Sequence, residues 1–332
     1  MKRKLIASII ATALVLSLCS CDDMEDFDSY EDYESSTIDS NEDNYDEIYD
    51  GYYEEPDYSY EDSYDGYVNS GYYGEYPFDT SIGSAKELEG KIAVISIFVN
   101  DNTTGWDFSD SNDQELAQTI YNNLSIATDY LEDVSNNYGH NVEFVFDWNE
   151  HPELYYEMSI NMDYSNIDND YTIDYSMWQG IQENISTSEV LEKTGATQAI
   201  YMAYYNTPSS NTVTSCARNF YDGMEYPYEI CYIFMNCEGY IEPPACFAHE
   251  ILHTFGAPDL YTVSDYGINQ EYVDYVESIG LNDIMRDCSD PQTYEYVYDS
   301  INNEVTDITA YYVGLTDYSE TVAEWGFEKS QH

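Results

Sequence analysis

Basic side chains are nearly missing from this sequence: 9 lysines and arginines stand against 66 aspartates and glutamates, for a formal net charge of -57. Electrostatic binding of nucleic acid or anionic lipid head groups draws on positive charge, so both are excluded as partners of that kind. Long apolar runs are as scarce. The run from Leu5 to Leu18 follows Lys2, Arg3 and Lys4 and is too short for a comfortable permanent span, so it reads as a secretory signal over residues 1–20. No other stretch approaches the length of a transmembrane helix. A CxxC knuckle, a complete EF-hand loop and a repeat of solenoid length are also missing. Calcium therefore stays an open cofactor, suited to the acidic excess but assigned to no loop.

The signal ends Leu18-Cys19-Ser20-Cys21, which looks like a bacterial lipobox and makes Cys21 the expected site of lipidation. Two or more acyl chains on one cysteine suffice for stable anchoring, so an extracytoplasmic protein held on the cell membrane only by its lipid is expected. Residues 21–80 are rich in Asp, Glu, Tyr, Ser and Gly and almost without aliphatics, as in Glu42-Asp43-Asn44-Tyr45-Asp46-Glu47. Such a tract cannot build a core and is expected to act as a disordered tether. Its tyrosines offer a second reading, an adhesive or partner-binding strip. Beyond Cys19 and Cys21 five cysteines remain, Cys216, Cys231, Cys237, Cys246 and Cys288. Export permits disulfides among them, and spacing alone does not assign the pairing.

The composition changes at Gly90-Lys91, and one compact domain over 81–332 is the simplest division. Ile92 to Val99 is a near-continuous apolar run suited to a strand buried on both faces. Helical spacing of Leu116, Ile120, Leu124, Ala127 and Leu131 follows, then a strand at Asn141–Phe146. Ser188–Thr194 reads as helix, Ala196–Tyr205 and Tyr228–Asn236 as strands, and Val305–Trp325 as a packing helix carrying Ile308, Tyr311, Tyr312 and Leu315. Pro243-Pro244 suits a helix first turn. The pattern predicts an α/β domain.

The chain has 5 histidines, and two of them fall in Ala248-His249-Glu250-Ile251-Leu252-His253-Thr254-Phe255-Gly256-Ala257-Pro258-Asp259, which contains HExxH. On a helix His249 and His253 share one face and can converge on one zinc ion, with Glu250 placed to act on water. A catalytic zinc usually has three protein ligands, so a third is needed. Asp259 is the best candidate: Gly256 can take a left-handed backbone and end the helix, and Pro258 stiffens the return. Glu271 or Glu277 is the alternative.

These residues resemble the metzincin pattern HExxHxxGxx(H/D) in its aspartate variant. His249 to Tyr261 is most similar to immune inhibitor A-type secreted peptidases and, more distantly, to snapalysin-type enzymes. The resemblance implies a metzincin-like domain with a twisted mixed sheet, long helices, an active-site helix and a methionine turn. It also implies His249, His253 and Asp259 as zinc ligands, Glu250 as general base and Met285, in Asn282-Asp283-Ile284-Met285, as the packing floor. By the same resemblance Tyr228–Asn236 would be the sheet edge that pairs with substrate, and Tyr261, Tyr311 and Tyr312 are candidates to stabilise an oxyanion. The expected protein is a monomeric, surface-anchored zinc endopeptidase acting on proteins or peptides. The alternative is a non-catalytic surface adhesion lipoprotein with a structural or relic zinc site.

Overall fold

The computed structural model describes residues 76–79, 81–167, 172–220, 226–264 and 267–329. The signal, Cys21, nearly all of the acidic tract and the terminal His332 lie outside the described residues.

The apolar run becomes strand β1 (Gly90–Asn100), whose eight residues Ile92–Val99 are all buried. It is followed by α1 (Ser111–Asn137), begun by Asp110, whose side chain accepts from the Asn112 amide, and then by β2 (Val142–Val145). Next come β3 (Tyr155–Ser159), α2 (Thr172–Asn184), α3 (Thr187–Thr194) and β4 (Gln198–Tyr205). The remaining strands are β5 (Cys216–Arg218), β6 (Ile230–Phe234) and the small hairpin β7 (Asn236–Cys237) with β8 (Tyr240–Ile241). Helices α4 (Pro244–Thr254), α5 (Gln270–Ile279), α6 (Asp307–Tyr312) and α7 (Glu320–Trp325) complete the described chain. Among the described residues no helix is long and apolar enough to cross a membrane.

The main sheet runs β2-β1-β4-β6-β5, with β3 pairing the far half of β1. All its pairings are parallel except β5 against β6, so the fold is mixed α/β. Because successive side chains on a strand point to opposite faces, β1 divides between two cores. Ile92, Val94 and Phe98 face α1, α4 and the carboxy-terminal helices, while Ala93, Ile95, Ile97 and Val99 face α2 and α3. Helices therefore cover both faces, as a parallel sheet requires.

Three expectations need correction. Tyr228–Asn236 is not the sheet edge: β6 lies between β4 and β5, and the edge is the three-residue β5, which pairs antiparallel through Cys216–Tyr232 and Arg218–Ile230. Val305–Trp325 is two short helices, not one. Gly314 takes a left-handed backbone (φ 83°) and ends the first, and Ser319 caps the second by accepting from the Val322 amide at 3.1 Å. Packing also begins before residue 81, because Tyr76 and Phe78 meet the ring of Tyr228 edge-on, at 5.9 and 5.7 Å.

The entry to β1 is held by a buried carboxylate. Glu229, 1% exposed, accepts from the amides of Ser84 (2.8 Å) and Ala85 (3.0 Å) and from the Ser84 hydroxyl. Burial pushes its pKa from 4.5 up to about 8, and these hydrogen bonds only partly oppose the rise. The folded chain thus binds this proton more tightly than the unfolded chain. The associated stability is complete below about pH 4.5 and is lost as pH rises through about 8. Glu229→Gln should remove that slope: between pH 4.5 and 8.5 the variant gains on the parent by on the order of 4 kcal/mol in urea unfolding. A constant difference across that range would contradict this account.

Candidate metal centre

Helix α4 begins with Pro244, a first-turn position where the missing N–H costs no hydrogen bond. Its lead-in is pinned by Asn123 of α1, whose amide donates to the Glu242 carbonyl at 2.7 Å. Nearly every residue of α4 is buried, including His249 and Glu250 at 6% and 4% exposure. It packs against α1, β5 and β6, which places the helix beside the edge strand.

The helix ends as the sequence predicts. Gly256 has φ 95°, its N–H donates to the His253 carbonyl at 2.9 Å, and the Ala257 N–H reaches back to Leu252 at 3.1 Å. This pair of bonds is the Schellman termination. It returns the chain so that Asp259 Oδ1 lies 3.3 Å from His249 Nε2 and 3.2 Å from His253 Nε2, which are themselves 3.1 Å apart. Among the described residues this is the one group of three His, Cys, Asp or Glu side chains with ligand atoms so close together. Glu271 and Glu277, both exposed on α5, are not in it.

Each imidazole is oriented from behind. His249 Nδ1 lies 2.9 Å from the Ile284 carbonyl, and His253 Nδ1 lies 2.7 Å from the Ala257 carbonyl. A carbonyl oxygen only accepts, so each Nδ1 carries a hydrogen, and a ring without a second proton turns its Nε2 lone pair toward Asp259. Three electron-rich atoms then converge with little between them. Four ligands at about 2.0–2.1 Å around a tetrahedral zinc lie about 3.3–3.4 Å from one another, so the observed separations fit a small divalent cation.

The electrostatics point the same way. Burial opposes charge on His249, but Cys288, Asp259 and Glu250 outweigh it and raise its pKa well above the ordinary imidazole value. Burial likewise opposes ionisation of Asp259, yet His249 and His253 hold it far below the usual carboxylate range. The gap attracts positive charge, and a metal ion would displace the proton that fills it in the free chain. Glu250 differs: its Oε2 is buried and accepts no hydrogen bond. Burial moves its pKa up to about 7 against the pull of the two histidines.

Met285 is fully buried in the core under α4, and its carbonyl accepts from the Leu260 amide at 2.9 Å. Asp283, which spacing did not single out, holds this turn. It accepts from the Met285 amide (2.8 Å), the Thr306 amide (2.9 Å) and the Thr309 hydroxyl (2.9 Å), and so fixes the Ile284 carbonyl that orients His249. Asp283→Ala should weaken metal binding about ten- to hundredfold, read by competition with a chromophoric chelator. Unchanged affinity would mean that the turn is held by packing alone.

Of the three tyrosines considered, only Tyr261 is placed against a candidate ligand: its half-exposed ring stacks on His249 at 6.5 Å and 21°. Tyr312 is buried in the core, and Tyr311 lies beneath Lys329. Two cysteines complete the surroundings. Cys246, one turn before His249, lies against Cys288 and Glu242, and Cys288 also touches His249. The Cys246 contact, against burial, and then the charge of His249 bring the Cys288 pKa below the usual thiol value. The 370 Å³ cavity bordered by Pro77, Ile185 and Tyr228 shares no lining residue with this site. Compared with known protein families, curated proteins and solved structures, the chain matches none.

Proposed function

We propose that this chain is a zinc-dependent endopeptidase of metzincin type, exported and held on the cell surface by a lipid on Cys21. The observation that carries the reading is the pairing of two features: three lone-pair atoms converging from His249, His253 and Asp259, and the unpartnered buried carboxylate of Glu250 beside them. A purely structural metal site needs the ligands but has no use for that carboxylate. This difference favours a hydrolase over a non-catalytic surface protein.

His249, His253 and Asp259 would hold the zinc. When bound, zinc supplies a Lewis acid for the scissile carbonyl and makes water acidic enough to attack near neutral pH. Glu250 accepts the proton of the attacking water and returns it to the departing amine. Tyr261, whose ring stacks on His249, would donate its hydroxyl to developing negative charge on the carbonyl oxygen; burial and then Asp259 raise its pKa, so it keeps its proton. The outer edge of β5, next to α4, offers backbone groups with which an extended peptide can pair.

The left-handed turn at Gly256, the return to Asp259 and the buried Met285 turn support the metzincin assignment over a site completed from α5. The full chain, freed of metal and reloaded with zinc, should cleave an unselective unfolded protein. A chelator should stop the reaction, and added zinc should restore it. Zinc-loaded protein that cleaves nothing across a broad peptide library would set this reading aside.

A further inference from the structure

We infer that Cys246 and Cys288 form a disulfide that ties the first half of α4 to the turn behind it, made by exchange with a disulfide-bearing thiol oxidant. Both thiols are free in the structure, and they lie against each other. The topology explains why. Cys246 and His249 are three apart on α4 and share a face. That face meets the 283–288 segment through the 2.9 Å contact between His249 Nδ1 and the Ile284 carbonyl. Cys288 follows four residues later and packs on the same core.

The other cysteines have different roles. Cys231 lies in the core under α4, where its thiol donates to the Glu250 carbonyl at 3.3 Å. Cys216 stands opposite Tyr232, whereas Cys231 stands opposite Ala217, so these two cysteines point to opposite faces of the sheet and do not meet. Cys237 sits on the β7–β8 hairpin, paired with Tyr240.

The exchange balances without metal. One cysteine thiolate attacks a sulfur of the oxidant and expels the first oxidant thiolate. The second cysteine loses its proton, attacks the mixed disulfide at the first cysteine and expels the remaining oxidant thiol. Two cysteines are oxidised, one oxidant disulfide is reduced to two thiols, and the two cysteine protons end on them. The closed loop contains His249, His253, Asp259 and Met285, so the bond restrains the segment that forms the metal site. It does not depend on the hydrolase reading.

The test is peptide mapping of the full chain after equilibration with oxidised glutathione, trapping free thiols by alkylation under non-reducing conditions. A cross-linked peptide joining Cys246 to Cys288 is expected. Reduction should then lower the melting temperature by about 10 °C. Cys246→Ser and Cys288→Ser should each melt with the reduced parent and show no further response to reductant. Full alkylation of both thiols, glutathione retained on either, or a cross-link to Cys216, Cys231 or Cys237 would overturn the inference, and wild-type mapping alone suffices to decide.

Discussion

Glu250→Gln is expected to lower the turnover of an unselective peptide substrate by about three orders of magnitude while zinc remains bound. Glutamine keeps the shape of the side chain and so leaves α4 packed. What it removes is the ability to take a proton at Oε2, an atom that is buried and has no hydrogen-bond partner. The carboxylate is not one of the three converging atoms, so zinc stoichiometry should stay at one per chain. Unfolding does not offer another explanation for lost activity. Burial raises the Glu250 pKa from 4.5 to about 7, so in the metal-free chain its stabilising contribution is complete below about pH 4.5 and is lost as pH rises through about 7. At pH 8 the uncharged glutamine should therefore be at least as stable as the parent. Turnover within tenfold of the parent at equal zinc content would remove Glu250 from the chemistry.

Asp259→Ala is expected to cost zinc affinity directly, by about two to three orders of magnitude, because one of the three proposed protein ligands is lost. Competition titration against a chelator of known affinity gives the number. A second signature separates this loss from general damage. In the metal-free parent Asp259 helps to raise the His249 pKa, so zinc must displace a proton and its affinity should fall as pH is lowered. Without the carboxylate the His249 pKa should drop, and proton release on zinc binding should shrink with it. An Asp259→Ala variant that binds zinc as tightly as the parent would return the third-ligand position to another residue.

Much of the site was legible because it is local. His249, Glu250, His253, Gly256 and Asp259 lie within 11 residues, and helical spacing plus one left-handed glycine set their relations. The strands with continuous apolar runs were equally plain, since burial on both faces leaves an unbroken composition signal. The support behind the histidines was not legible. Ile284 and Ala257 act through backbone carbonyls, which carry no side-chain signature, and Asp283 is recognisable only once Thr306 and Thr309 are brought to it. The edge strand β5 escaped notice because three half-buried residues, Cys-Ala-Arg, have neither alternation nor β-branched character. Its neighbour β6 was mistaken for the edge because strand order is a property of the whole sheet. The helical period over 305–325 continued past Gly314, where a Cβ would stand 2.6 Å from the Glu87 side chain, and this tertiary contact reserves the position for glycine.

The two histidines also differ in when they can be set during synthesis. His253 is oriented by Ala257, four residues on, so its position can be set as soon as α4 and the following turn have left the ribosome. His249 waits for Ile284, 35 residues later, and that carbonyl waits in turn for Thr306 and Thr309 to hold Asp283. A nascent chain released before residue 309 would carry the whole HExxH motif and yet present only one of its two rings ready for metal. Any metal loading of this site would thereby wait until the carboxy-terminal helices are in place.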